Sequence, residues 1–150
     1  MSTFQLDSRL ARDTVYIAAL PLCDVRVMND SRWPWLILVP RIEGAEEIHT
    51  LTRPQQTQIA TETAHASATL KTLTRCTKIN TAAIGNIVRQ LHIHVIARNE
   101  QDPNWPGPVW GYGQRLEYEK SVLENMVSHV QNELCHHTGF SILNIDTVDI

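Results

Sequence analysis

From Gln90 to Val95 polar and apolar residues alternate, with Gln90, His92 and His94 set against Leu91, Ile93 and Val95. An extended strand sends residues i, i+2 and i+4 to one side, so this stretch asks for a sheet with two different faces. Leu91, Ile93 and Val95 would pack into a core while one amide and two imidazoles converge on the other face. Two histidines at i and i+2 are by themselves a weak signal. A solvated or structurally bonded pair is the commoner reading, a catalytic pair comes second, and a metal site, which needs further ligands, is a distant third.

The rest of the chain supplies partners for such a strand. Thr14 to Leu20 and Cys23 to Met28 are rich in β-branched and apolar residues and are split by Pro21, which predicts two short strands, with Asn29-Asp30-Ser31 as a turn. Trp35 to Val39 is a dense apolar run closed by Pro40, the pattern of a strand buried on both faces. Thr52 and Gln55 have capping-box spacing and Pro54 fits a first turn, which predicts a helix from Arg53 to about Arg75 with Ile59, Ala66, Leu70 and Leu73 as its buried stripe. Lys78 to Ile84 reads as a strand, Gly85-Asn86 as a turn and Leu91 to Arg98 as the strand that carries the chemistry.

Asp102 to Gly113 holds three prolines and three glycines and reads as an irregular loop with aromatic anchors, long enough to carry function. Trp105, Trp110 and Tyr112 would pack to anchor this loop or, less often in such loops, close over a base. Beyond it, Leu116, Leu123, Met126, Val127, Val130 and Leu134 recur at helical spacing, with Gly139 as a stop. No repeat, charge block or low-complexity stretch divides residues 1–150, so a single domain is expected.

A net charge of −3 provides no field to hold a nucleic acid or an acidic membrane, so any bound phosphate must be gripped locally. Cys23, Cys76 and Cys135 are an odd count without C-x-x-C spacing, which signals neither a disulfide framework nor a zinc site. The first residues lack a signal-peptide pattern and no stretch has the length of a membrane span; a soluble cytoplasmic protein is the expectation.

Residues Asn80 to Arg98 resemble the signature region of the histidine-triad (HIT) superfamily of nucleotide hydrolases and transferases, His-φ-His-φ-His-φ-φ with φ apolar, here Gln-Leu-His-Ile-His-Val-Ile. The likeness reaches upstream to Gly85-Asn86, where relatives commonly carry Gly-Gln, and to Asn80, and downstream to Arg98. Val27-Met28-Asn29 followed by Leu36 to Pro40 is similar to the family's N-terminal half, so the match spans about residues 14 to 98. Two departures stand out: Gln90 replaces the first histidine, and Trp35 lies near where many relatives carry another.

The resemblance implies an α+β fold, an antiparallel β-sheet with a long helix packed on it and a C-terminal helix, joined sheet to sheet as a homodimer. It implies that His92 attacks an α-phosphorus to give a nucleotidyl-histidine that water resolves, that His94 donates to a phosphate oxygen or fixes the loop, and that Gln90 positions without titrating. Asn86 and Asn80 would add donors around the phosphates, while Asn29, with Asp30, would receive ribose hydroxyls. Turn formation is an equal reading for Asn29 and Asp30, Asn80 and Asn86 share that ambiguity, and Arg98 would neutralise a phosphate or cap its strand. His49, His65, His129, His136 and His137 fall outside the motif and read as structural or exposed.

The substrate expected is a purine nucleotide or dinucleoside polyphosphate, with no cofactor required and no protein-bound metal, magnesium entering only with a polyphosphate. Loss of an acid at position 90 should favour anhydrides over phosphoramidates, whose leaving groups are basic. The alternative is a non-catalytic nucleotide-binding or interaction module with a degenerate triad.

Overall fold

The computed structural model describes residues 3–136. Its elements are α1 (Ser8–Asp13), β1 (Thr14–Ala19), β2 (Cys23–Met28), β3 (Trp35–Pro40), a short 3-10 turn (Ile48–Thr50), α2 (Arg53–Thr74), β4 (Lys78–Ala83), β5 (Ile93–Arg98) and α3 (Lys120–His136). The five strands form one sheet in the order β1-β2-β3-β5-β4, and every neighbouring pair is antiparallel. This is the α+β architecture expected. The expected stop at Gly139, and His137, lie outside the described residues.

Local chemistry explains most of the boundaries. Thr52 and Gln55 form the full capping box, the Gln55 backbone N–H donating to Thr52 Oγ1 and the Thr52 N–H to Gln55 Oε1 at 2.9 Å. At the far end Arg75 takes the left-handed conformation at φ 53° and its N–H closes on the Lys71 carbonyl. The one-turn α1, absent from the sequence reading, is too short to show a period; Asp7 caps it by accepting from the Arg9 N–H.

Both faces of the sheet are covered, which is why Trp35 to Val39 reads as an unbroken apolar run. On one face Val25, Leu36, Leu38, Ile93 and Val95 meet α2 and α3 through Ile59, Leu70, Leu123 and Val130. On the other, Trp33, Trp35, Ile37, Val39 and Ile96 lie under Leu10, Val109 and the N-terminal Phe4 and Leu6. Glu62, fully buried on α2, accepts the Leu22 and Cys23 N–H groups at 2.8 Å each and so clasps the β1–β2 hairpin to the helix. The same carboxylate, after burial itself, pushes the Cys23 thiol pKa up, leaving that sulfur an inert part of the core.

Two positions depart from the helical stripes drawn from the sequence. Leu73 is 37% exposed, whereas Leu70 one turn earlier is fully buried. Leu116 is 59% exposed and precedes α3, which starts only at Lys120. The Leu116 carbonyl instead accepts from the Ser31 N–H at 2.7 Å, stitching the long loop to the β2–β3 turn.

Candidate active site

β5 is an interior strand of the sheet, between β3 and the edge strand β4, with Ile93 opposite Leu38 on one side and Ala83 on the other. The expected strand from Leu91 loses its first two residues because the Leu91 N–H bonds out of the sheet to the Ala45 carbonyl at 2.8 Å. The alternation survives: Leu91, Ile93 and Val95 are in the helix-side core, and His92 and His94 are buried toward the other side, 6% and 5% exposed. Their rings meet edge to face with centroids 4.9 Å apart.

His92 Nδ1 lies 2.7 Å from the Gln90 carbonyl oxygen. A carbonyl can only accept, so Nδ1 carries the proton and Nε2 of the neutral ring keeps a lone pair. His94 has the opposite arrangement. Trp35 Nε1–H donates to His94 Nδ1 at 3.0 Å, and an indole N–H can only donate, so the His94 proton sits on Nε2. Burial first, and the neighbouring His92 second, push the His94 pKa down to about 3, so the ring is neutral at physiological pH. Trp110 meets both the Trp35 and His94 rings edge-on, and its buried Nε1–H has no acceptor among the described residues.

Gln90 faces a different task from that of a histidine poised over substrate. Its Oε1 accepts the Asp7 N–H at 2.9 Å and its Nε2 donates to the Gln5 carbonyl at 2.8 Å, pinning the N-terminal segment beside the loop that leads into β5. Both ends of the amide are used.

A cavity of about 560 Å³ opens beside His92, lined also by Glu46, Glu47, Gly85, Asn86, Arg89 and Gln90. Asn86 makes no side-chain hydrogen bond to another described residue and keeps its full donor capacity. Arg89 is paired with Glu46 at 2.9 Å at the solvent-exposed rim. Glu46, Glu47 and Arg89 were not legible as site residues in the sequence. Arg89 is three residues from His92 along the chain, whereas Glu46 and Glu47 follow Ala45, whose carbonyl accepts the Leu91 N–H from far away in the chain.

The structure brings Gln90, His92, His94 and Asn86 together but spends the other expected nucleotide-binding residues elsewhere. Arg98 is 1% exposed, donates to both Asp102 oxygens at 2.7 and 2.9 Å and to Asn80 Oδ1 at 3.3 Å, and lies over the Trp105 ring. In the free protein Arg98 is thus engaged at the end of its strand, and the Asn80 oxygen is engaged with it. Asp30 is buried in a bidentate pair with Arg32, at 2.6 and 2.8 Å, which engages the carboxylate expected to receive ribose hydroxyls. Asn29 Oδ1 accepts the Tyr118 N–H at 3.0 Å; its Nδ2 makes no hydrogen bond to another described residue. None of Asn29, Asp30, Asn80 and Arg98 lines the His92 cavity.

The HIT domain family model matches residues 9–101, which is more than half of the chain. The chain belongs to the HIT family. Among solved structures, a histidine triad protein from Sinorhizobium meliloti 1021 shares 49% identity over 89% of this chain and 98% of its own, with a TM-score of 0.86. Histidine triad proteins from Bradyrhizobium japonicum and Marinobacter aquaeolei VT8 share 44% and 43% identity over 89% of this chain and 99% and 97% of theirs, each with a TM-score of 0.86. The comparison with curated proteins gives no match. Within the HIT frame, the family's N-terminal half here supplies β1 to β3 and α2, while the triad stretch supplies the approach to β5 and its first residues. No helix among the described residues is long and apolar enough to cross a membrane.

Proposed function

We propose that this HIT protein is a nucleotide hydrolase or transferase in which His92 Nε2 attacks the α-phosphorus of a nucleoside phosphate or dinucleoside polyphosphate. The observation that carries this reading is the 2.7 Å contact between His92 Nδ1 and the Gln90 carbonyl. It leaves the Nε2 lone pair free beside a polar cavity and stabilises the positive charge that the ring acquires when Nε2 is substituted. The P–Nε2 bond forms as the bond to the leaving group breaks with its electron pair. Water then attacks the same phosphorus and returns the pair to Nε2. Asn86 and His94 Nε2–H are the neutral donors for the phosphoryl oxygens, and Asn29 Nδ2 is the remaining candidate for a ribose hydroxyl.

No titrating acid stands at position 90, because a Gln amide held by Gln5 and Asp7 cannot deliver a proton. Leaving groups that depart without protonation, such as phosphates, are therefore favoured over amines. Glu46 and Glu47 at the cavity would oppose a bare polyphosphate, so magnesium travelling with the substrate is part of this reading. Intact-protein mass spectrometry of wild type and His92→Ala, quenched during incubation with diadenosine polyphosphates and with adenosine phosphoramidate, tests it. A nucleotidyl adduct on wild type alone, richer with the polyphosphate, is the expected result. Bound nucleotide with neither adduct nor turnover would instead make the protein a binding module.

The same reading includes a homodimer joined through β4. This strand is the sheet edge beyond β5, and Thr81, Ala82 and Ala83 line a shallow groove with Ala60, Thr63 and Ala64 of α2, small side chains that allow a second backbone to approach. Ala60→Arg is expected to convert a dimer to a monomer in size-exclusion chromatography with light scattering, with its circular dichroism unchanged. A wild type that elutes as a monomer would defeat the dimer.

A further inference from the structure

His94 is held between two indoles, and the contact with Trp35 is the one that decides its chemistry. A histidine at position 35 would be able either to donate or to accept, leaving the His94 tautomer open; an indole removes that choice. With Nδ1 engaged by Trp35 at 3.0 Å, Nε2–H is the only polar group that His94 has left, and no other described residue takes it. The Trp35 ring is itself immobilised, edge-on to Trp33 at 6.3 Å and to Trp110 at 6.2 Å, so the donor is fixed in place before any ligand arrives. Its backbone pairs opposite Ile96 on β5, which ties the same two strands together two residues from His94.

We propose that Trp35 is a positioning residue that locks His94 as an Nε2–H donor, so that His94 stabilises the phosphoryl group passing to His92 as a permanently neutral hydrogen-bond donor and never as an acid. No bond forms or breaks at His94 in this scheme; its proton stays on Nε2 throughout. This rests on the nucleotidyl-transfer reading of His92, but the tautomer itself is a property of the free protein. It explains how the chain dispenses with a histidine at the start of β3: the indole gives up titration and gains a fixed direction of donation.

The test is nitrogen-15 NMR of the histidine rings in the free protein, combined with steady-state kinetics on a diadenosine polyphosphate, for wild type, Trp35→Phe and Trp35→His. In wild type the His94 Nδ1 resonance should sit at the unprotonated position and Nε2 at the protonated one. Trp35→Phe should move Nδ1 toward the averaged position and lower kcat by roughly 10- to 100-fold with KM unchanged. Trp35→His, which restores a donor, should recover part of the loss, and it keeps the test alive if the Phe variant does not fold. A protonated Nδ1 in wild type, or a Phe variant with unaltered tautomer and kcat, overturns the proposal. Failure of wild type to form any nucleotidyl adduct would sink the His92 reading and the catalytic role of His94 with it, while the tautomer measurement still decides the Trp35 contact.

Discussion

Asp102→Ala is expected to lower the free energy of unfolding by about 3–5 kcal/mol, the usual cost of stripping one partner from a buried ion pair. Arg98 is 1% exposed and its guanidinium is aimed at the two Asp102 oxygens, at 2.7 and 2.9 Å. Burial by itself would raise the Asp102 carboxyl, but hydrogen bonds from Arg98 and from the Asn99 N–H hold its pKa below the ordinary carboxylate range. Removing the carboxylate would leave a buried cation over the Trp105 ring with only the longer contact to Asn80. Urea denaturation at pH 7 measures the loss. The double variant Arg98→Met with Asp102→Ala should regain most of it, since an apolar pair of similar volume needs no compensation. Arg98→Met alone should leave nucleotide affinity within about twofold, because the guanidinium serves the fold; a large loss of affinity with retained stability would restore Arg98 to the phosphate site.

The second large effect is acid destabilisation through His94. An unfolded histidine titrates near 6.5, whereas burial, and then His92, push the folded His94 pKa down to about 3. Between those values the unfolded state binds the extra proton, so stability rises with pH across this window and falls as pH drops through it. The slope from this group is about 1.4 kcal/mol per pH unit well inside the window, and below pH 3 the penalty is complete. Carboxylates such as Asp7 and Asp13, whose pKa values are lowered by their arginine partners, add to the acid limb. A difference measurement isolates His94: His94→Gln, whose amide oxygen can still accept from Trp35, should show a flatter fall in urea midpoint between pH 6.5 and 4.5. Parallel wild-type and variant curves would show that His94 protonates freely in the folded state.

Tertiary context decided several features in ways that no local pattern announces. Gln90 reads as a weakened catalytic position, yet its amide is a clamp on Gln5 and Asp7, about eighty residues earlier in the chain. Trp35 reads as a missing histidine, yet it orients His94 from the neighbouring strand. Trp110, one of three aromatics in a loop, is the one that reaches the His94 ring, whereas Trp105 lies by Arg98 and Tyr112 against Trp33. Glu46 and Glu47 enter the cavity wall next to Ala45, which bonds to Leu91 across the chain, and Glu46 there pairs with Arg89.

What the amino-acid sequence determined by itself was whatever depends on neighbours along the chain. The capping box and Pro54 set the start of α2, the alternation from Gln90 to Val95 set two unlike faces, and the motif with its flanking elements carried the family and the antiparallel α+β fold. These signals are local because helix caps, strand periodicity and turn chemistry act within a few residues. Only the tertiary structure decided which polar groups remain free for a ligand. Arg98 and Asp30 are of suitable type and position in sequence, but a donor or acceptor is available only after the fold has settled its own buried partners; these two are engaged by Asp102 and Arg32, and Asn80 has its oxygen engaged by Arg98.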